Sequence, residues 1–167
     1  MARGLICTAK TPEEARRIVQ HLREAGFSAK DTSLVLSVSK EAPGAESHGQ
    51  GNKLRGAATG SGIGTIAGGL LGLLVGMTAF EVPEAGMLIA VGPIVGALSD
   101  AIAGGALGAV AGALVGIRLP ERSAKVYEDM VVRGNVLISV QAEDAARRET
   151  AREIFRAGGA EQISDLD

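Results

Sequence analysis

The sequence predicts an α+β sandwich interrupted in its middle by a long helical hairpin. Three observations predict it. Short β-and-α units of similar size stand at the two ends. A Pro, Gly, Ser and Asn-rich stretch follows the first of them. Between the ends run two rows of glycine at four-residue spacing. The 167 residues suffice for one domain with a large insertion.

At the start, residues 5–9 form a short apolar strand. Thr11-Pro12-Glu13-Glu14 then supplies an N-cap threonine, a proline at the first helical position and a glutamate three residues after the cap. Ala15, Ile18, Val19 and Leu22 make one apolar face of the helix that follows, and Gly26 is placed to end it. Residues 33–39 alternate large apolar with small or polar side chains and read as a second strand. At the other end, 120–133 reads as a helix closed by Gly134, 136–140 as a strand, 143–157 as a charged helix stopped by Gly158-Gly159, and 160–164 as a last strand. Ala15-Arg16-Arg17 and Ala146-Arg147-Arg148 occupy similar places in the two end units. Two such halves suggest a ferredoxin-like split βαβ sandwich. The chain then divides into a first half (1–40), a linker (41–55), a hairpin (56–118) and a second half (119–167).

The glycine rows carry most of the information. Gly56, Gly60, Gly64, Gly68, Gly72 and Gly76 form the first; Gly92, Gly96, Gly104, Gly108, Gly112 and Gly116 form the second, with Asp100 in the vacant place. Residues i and i+4 share a helix face, so each row is a groove without side chains in which another helix can lie at close range. The spacing exceeds 3.6, so the row slants and favours a right-handed crossing. Each interior glycine costs about 1 kcal/mol relative to alanine, so such helices need tight packing or lipid around them.

Residues 57–80 are free of charge, and residues 93–117 hold only Asp100; each run exceeds the ~20 residues of a bilayer span. Lys53 and Arg55 flank one side and Arg118, Arg122 and Lys125 the other, while the connection carries Glu81 and Glu84. A membrane hairpin would therefore leave both termini in the cytoplasm. Two settings satisfy the glycines: insertion in or docking on a bacterial inner membrane, or a soluble homo-oligomer with an apolar interior able to hold lipid or a quinone-like molecule. Self-association is expected in both, because a lone hairpin would expose a large apolar patch. Asp100 is either a polar site inside the hairpin or, with Ser99, a cap where the helix breaks after an irregular stretch over 86–98.

Function classes narrow by exclusion. With 17 basic and 19 acidic residues and a net charge of −2, no basic stripe predicts a nucleic-acid partner. The single Cys7 admits no intrachain disulfide and reads as a small buried strand residue. The early apolar run is too short for the core of a signal peptide, so the expectation is cytoplasmic. Gly60-Ser61-Gly62-Ile63-Gly64 lacks a preceding strand and a P-loop lysine, so its fourfold register explains it better than a nucleotide loop. His21 and His48 stand apart from any cysteine or carboxylate cluster, no Ser-His-carboxylate set occurs, and neither a cofactor nor catalysis is expected.

The order of elements resembles the general stress protein 17M-like family, also met as low-temperature-induced, glycine-rich bacterial proteins. Thr11-Pro12-Glu13-Glu14-Ala15 with Leu22-Arg23-Glu24-Ala25-Gly26-Phe27 carries it at the start, and Val91-Gly92-Pro93-Ile94 in the middle. Near the end it rests on Leu119-Pro120-Glu121-Arg122-Ser123-Ala124-Lys125-Val126-Tyr127-Glu128 and Arg133-Gly134-Asn135-Val136-Leu137-Ile138. It extends over nearly the whole chain. The resemblance implies an association with stress and an architecture more than a mechanism.

Overall fold

The computed structural model describes residues 4–38, 77–82, 86–103 and 108–166, and every structural statement below concerns these. Along them run β1 (Gly4–Ala9), α1 (Pro12–Glu24), β2 (Thr32–Val38), β3 (Met77–Val82) and β4 (Gly86–Val91). Then come α2 (Ile94–Ala103), α3 (Ala109–Gly116), α4 (Glu121–Val132), β5 (Val136–Gln141), α5 (Ala145–Ala157) and β6 (Glu161–Leu166). The strands make one antiparallel sheet in the order β3-β4-β2-β5-β1-β6.

The end units form as their local chemistry dictates. The hydroxyl of Thr11 accepts the Glu14 N–H at 3.2 Å, and the Glu14 carboxylate accepts the Lys10 N–H at 3.0 Å, a capping box displaced by one residue. Asp144 caps α5 through the Ala146 N–H at 3.2 Å. Helices α1 and α5 cover one face of the sheet, burying Ile18, Leu22 and Phe155 against Leu5, Cys7, Leu34 and Ile138. They touch closely where Gly158 meets Ile18: a Cβ at Gly158 would overlap the Ile18 side chain.

The second face is covered as well. Ile6, Val35, Leu137 and Ala90 point to it and are buried beneath Ile94 and Leu98 of α2, Val110 and Leu114 of α3, and Tyr127 and Val131 of α4. The molecule is therefore three layers, helices on both sides of an antiparallel sheet. This is why β1 and β5 are apolar almost throughout instead of alternating with polar residues. Helix α3 buries Ala109, Val110, Ala111, Ala113 and Leu114 within the fold and leaves Val115 and Gly116 exposed, so most of its apolar surface is covered by the protein itself.

The middle of the chain corrects several expectations. Residues 77–80, expected at the end of the first long helix, lie in β3. Residues 86–91, expected as an irregular stretch, form β4 and pair with β2 from Leu34↔Val91 to Val38↔Met87. The expected helix over 93–117 is two helices of 10 and 8 residues, about 15 and 12 Å long and well short of a bilayer. No described helix is long and apolar enough to cross a membrane. The breaks fall at Gly92 (φ +90°) and Gly108 (φ +88°). Both conformations suit glycine, and a side chain there would strike the Thr32 carbonyl or the Glu128 carboxylate respectively.

Because α2 packs as core and not as a separate arm, Leu98→Ala is expected to lower the stability of the whole fold by about 2–4 kcal/mol. Denaturant unfolding followed by backbone circular dichroism checks this. A single transition shifted to lower midpoint is the expected outcome.

Candidate functional site

The expected helix-packing residues separate into three groups. Gly56, Gly60, Gly64, Gly68, Gly72, Gly76 and Gly104 lie outside the described residues, as does the Gly60–Gly64 loop-like motif. Gly92 and Gly108 are corrected from packing positions to chain breaks, for the backbone reason given above. Gly96, Gly112 and Gly116 do lie in α2 and α3, and at Gly96 and Gly116 a Cβ would meet nothing within 4 Å. Among the described residues these two glycines face open space and no neighbouring helix.

Asp100 is exposed on α2, and Ser99 returns its hydroxyl to the Val95 carbonyl at 2.9 Å. Both stand inside the helix, so neither caps a break. His21 is exposed on α1, and among the described residues no three His, Cys, Asp or Glu side chains converge as metal ligands. Cys7 is buried in β1, and burial pushes its thiol well up from the ordinary range, which keeps it in the unreactive protonated form.

Side chains that pattern reasoning did not single out do the positioning. Gly108 precedes α3 and offers no side chain to cap it; the carboxylate of Glu128, from α4, accepts the Ala111 N–H at 3.2 Å instead. Ser33 of β2 likewise accepts the Ile94 N–H at 3.2 Å, at the start of α2. Helix α3 ends with the Arg118 N–H on the Val115 carbonyl and the Leu119 N–H on the Leu114 carbonyl, the paired bonds of a Schellman motif. The residue that must be left-handed there is Arg118 (φ +71°), where glycine is the usual occupant and another residue costs about 1 kcal/mol.

Tyr127, the single tyrosine, crosses from α4 to the edge strand. Its hydroxyl is hydrogen-bonded to the Gln162 carbonyl and to Ser164 Oγ (2.9 Å), with the Ile6 carbonyl at 3.4 Å. Between Ile6↔Ser164 and Thr8↔Glu161 the pairing of β1 with β6 slips, leaving Gln162 and Ile163 opposite Cys7 alone. Gln162 adopts φ +48° at this bulge. The phenol thus holds a bulged edge that has fewer ladder bonds of its own. Arg152 of α5 fastens the same strand from outside through Asp165, at 2.6 Å.

One cleft of about 300 Å³ opens on the second face of the sheet, where α2 begins and α3 ends. Ser33 and Ser139, paired across β2 and β5, lie among its walls with Ile94, Gln141, Glu143 and Arg118. Ser139 is 7% exposed and makes no hydrogen bond through its side chain to another described residue. No sealed side-chain polar atom lacks a partner among the described residues, so the Ser139 hydroxyl owes its access to the cleft. The arrangement offers hydroxyl and amide groups on the sheet, a guanidinium on one side and a carboxylate at Glu143. Such a set can bind and orient a small polar molecule.

Compared with protein-family models, with curated proteins and with solved structures, the chain matches none.

Burial pushes the Tyr127 phenol from its ordinary 10.0 up to about 12, against a smaller opposing effect of Ser164. The unfolded chain releases this proton first. The contribution to stability is therefore intact below about pH 10 and falls as the pH rises from 10 towards 12. Alkaline difference absorbance, with one tyrosine to observe, is expected to give a phenolate midpoint near 12 in the folded protein. Tyr127→Phe is expected to cost about 1–2 kcal/mol, by denaturant unfolding, because the bulge carbonyl loses its donor.

Proposed function

We propose that this chain is a non-enzymatic, homo-oligomeric scaffold of the bacterial cytoplasm that assembles through its glycine-row helices. The carrying observation is that Gly96 and Gly116 stand in α2 and α3 with open space over both. The groove they offer has no occupant from the described part of the same chain. The row Gly56 to Gly76 repeats the spacing in the sequence, and copies that meet along helical rows of this kind bring backbones into close contact.

The folded frame supports association over bilayer crossing. Strands β2 and β3, which stand at either end of residues 39–76, belong to one sheet, so both ends of that segment lie on one side of any membrane. An even number of crossings would be required. Those 38 residues carry Lys40, Glu41, Glu46, Lys53 and Arg55 in their first half and leave room for one uncharged run of ~20 residues, not two. A membrane role on this frame is docking on the surface.

The strand order β6-β1-β5-β2, with α1 and α5 on one face, supports reading the end units as a ferredoxin-like split βαβ core. On this reading β3 and β4 extend the sheet beyond β2, and α2, α3 and α4 close its second face. The resemblance to general stress protein 17M-like chains supports a place in a stress response.

Light scattering of the purified chain without detergent tests the proposal. A particle of several times 16.9 kDa is expected, and it is expected to stay in solution when liposomes are floated. Gly96→Ala adds a Cβ that meets nothing within 4 Å among the described residues and favours the helix by about 1 kcal/mol, so a fall in particle mass in this variant reports lost packing and not misfolding. A 16.9 kDa monomer at all concentrations would refute the assembly.

A further inference from the structure

We infer that the cleft between the start of α2, the end of α3 and the Ser33–Ser139 pair binds a small carboxylate that bears a second polar group, of the α-hydroxy or α-amino acid kind. The inference does not rest on the self-association proposed above, although Gly116 belongs to both surfaces. Three observations converge on it.

The first is Arg118. The Schellman turn at the end of α3 calls for glycine, and Gly116, two residues earlier, is in ordinary helix and faces open space. An arginine held left-handed at the edge of a cleft is a backbone outlier at a place where a guanidinium would be useful. Its planar fork suits a carboxylate in two parallel hydrogen bonds.

The second is Ser139. A residue only 7% exposed, with a hydroxyl that meets no described protein partner and lines the cleft, is suited to a ligand oxygen. Its cross-strand partner Ser33 already spends its oxygen on the Ile94 N–H, but its hydroxyl proton is still available for donation. Both hydroxyls and the positive end of α2 favour negative charge on the same side of the cleft as donors.

The third is the carboxylate of Glu143, which with the Gln141 amide completes the polar walls. A plain anion would be repelled there. A ligand whose carboxylate meets Arg118, and whose hydroxyl or ammonium group donates to Glu143, satisfies both charges. The volume of about 300 Å³ is at the lower end of small-molecule sites and suits a molecule of a few carbons.

The test is a titration of the ¹⁵N-labelled full chain with L-lactate, with L-serine, and with inorganic phosphate as a plain-anion control. Saturable shifts of the Ile94, Ser139 and Gln141 amides are expected with lactate or serine at concentrations up to about 10 mM, the range of a weak small-ligand site. Arg118→Gly is expected to weaken this binding at least tenfold, on the order of one lost charge-assisted pair, while raising the melting temperature by about 2–4 °C through relief of the turn. Ser139→Ala, which keeps the turn and the charge, is expected to weaken binding several-fold. No saturable shift with either carboxylate, an equal response to phosphate, or undiminished binding in Arg118→Gly would each overturn the inference. The particle mass is measured on the same samples, so a failure of assembly and a failure of binding are read separately.

Discussion

The structure depends on the burial of its central strands from both sides. Every residue of β1 is buried, and so are the first five of β5, so two helical layers must be in place before either strand is shielded from water. Helices α1 and α5 supply one layer from the two ends of the chain. Helices α2, α3 and α4 supply the other from its middle. The insertion is thereby part of the core: Leu98 of α2 and Val110 and Leu114 of α3 are buried in the same cluster as Ile6, Val35 and Leu137.

Covering a sheet with short helices creates a second problem, since each helix end leaves polar backbone groups that must be satisfied within the layer. The fold solves it by reaching across elements. Glu128 of α4 serves the start of α3, Ser33 of β2 serves the start of α2, and Tyr127 of α4 serves the bulge of β6. Arg147 of α5 reaches in the same manner to the far end of α1, stacking over Phe27 at 4.6 Å and donating to the Gly26 carbonyl at 3.3 Å. These bonds tie neighbours distant in sequence, and the one from Ser33 fixes the start of α2, which with the end of α3 walls the polar cleft.

The outer elements were legible in the sequence because their signals are local. Thr11-Pro12-Glu13-Glu14 specifies a helix start by bonds made within four residues, and the structure makes them. The middle was harder because one glycine spacing has two physical meanings. At Gly96 and Gly116 the residue sits in a helix with no described neighbour over it; at Gly92 and Gly108, in the same register, it turns the chain where other residues would be strained. Spacing alone does not separate these. The gap between Gly76 and Gly92 was the available clue: Met77-Thr-Ala-Phe-Glu-Val and Gly86-Met-Leu-Ile-Ala-Val exchange small residues for large apolar and β-branched ones around a proline, the composition of a hairpin. The consecutive Val136-Leu137-Ile138 of β5 was the other clue, pointing to a sheet covered twice. Arg118, Ser139 and Glu128 were invisible, since each acts on residues brought near only by the fold.

Native-state hydrogen exchange, resolved by residue, tests the central claim most directly. If the middle of the chain is the second wall of one core, amides in α2, α3 and β4 exchange with the same opening free energy as those of β1 and β5, and denaturant shifts them together. Exchange of α2 and α3 at a distinctly lower free energy, with β1 and β5 still protected, would contradict it.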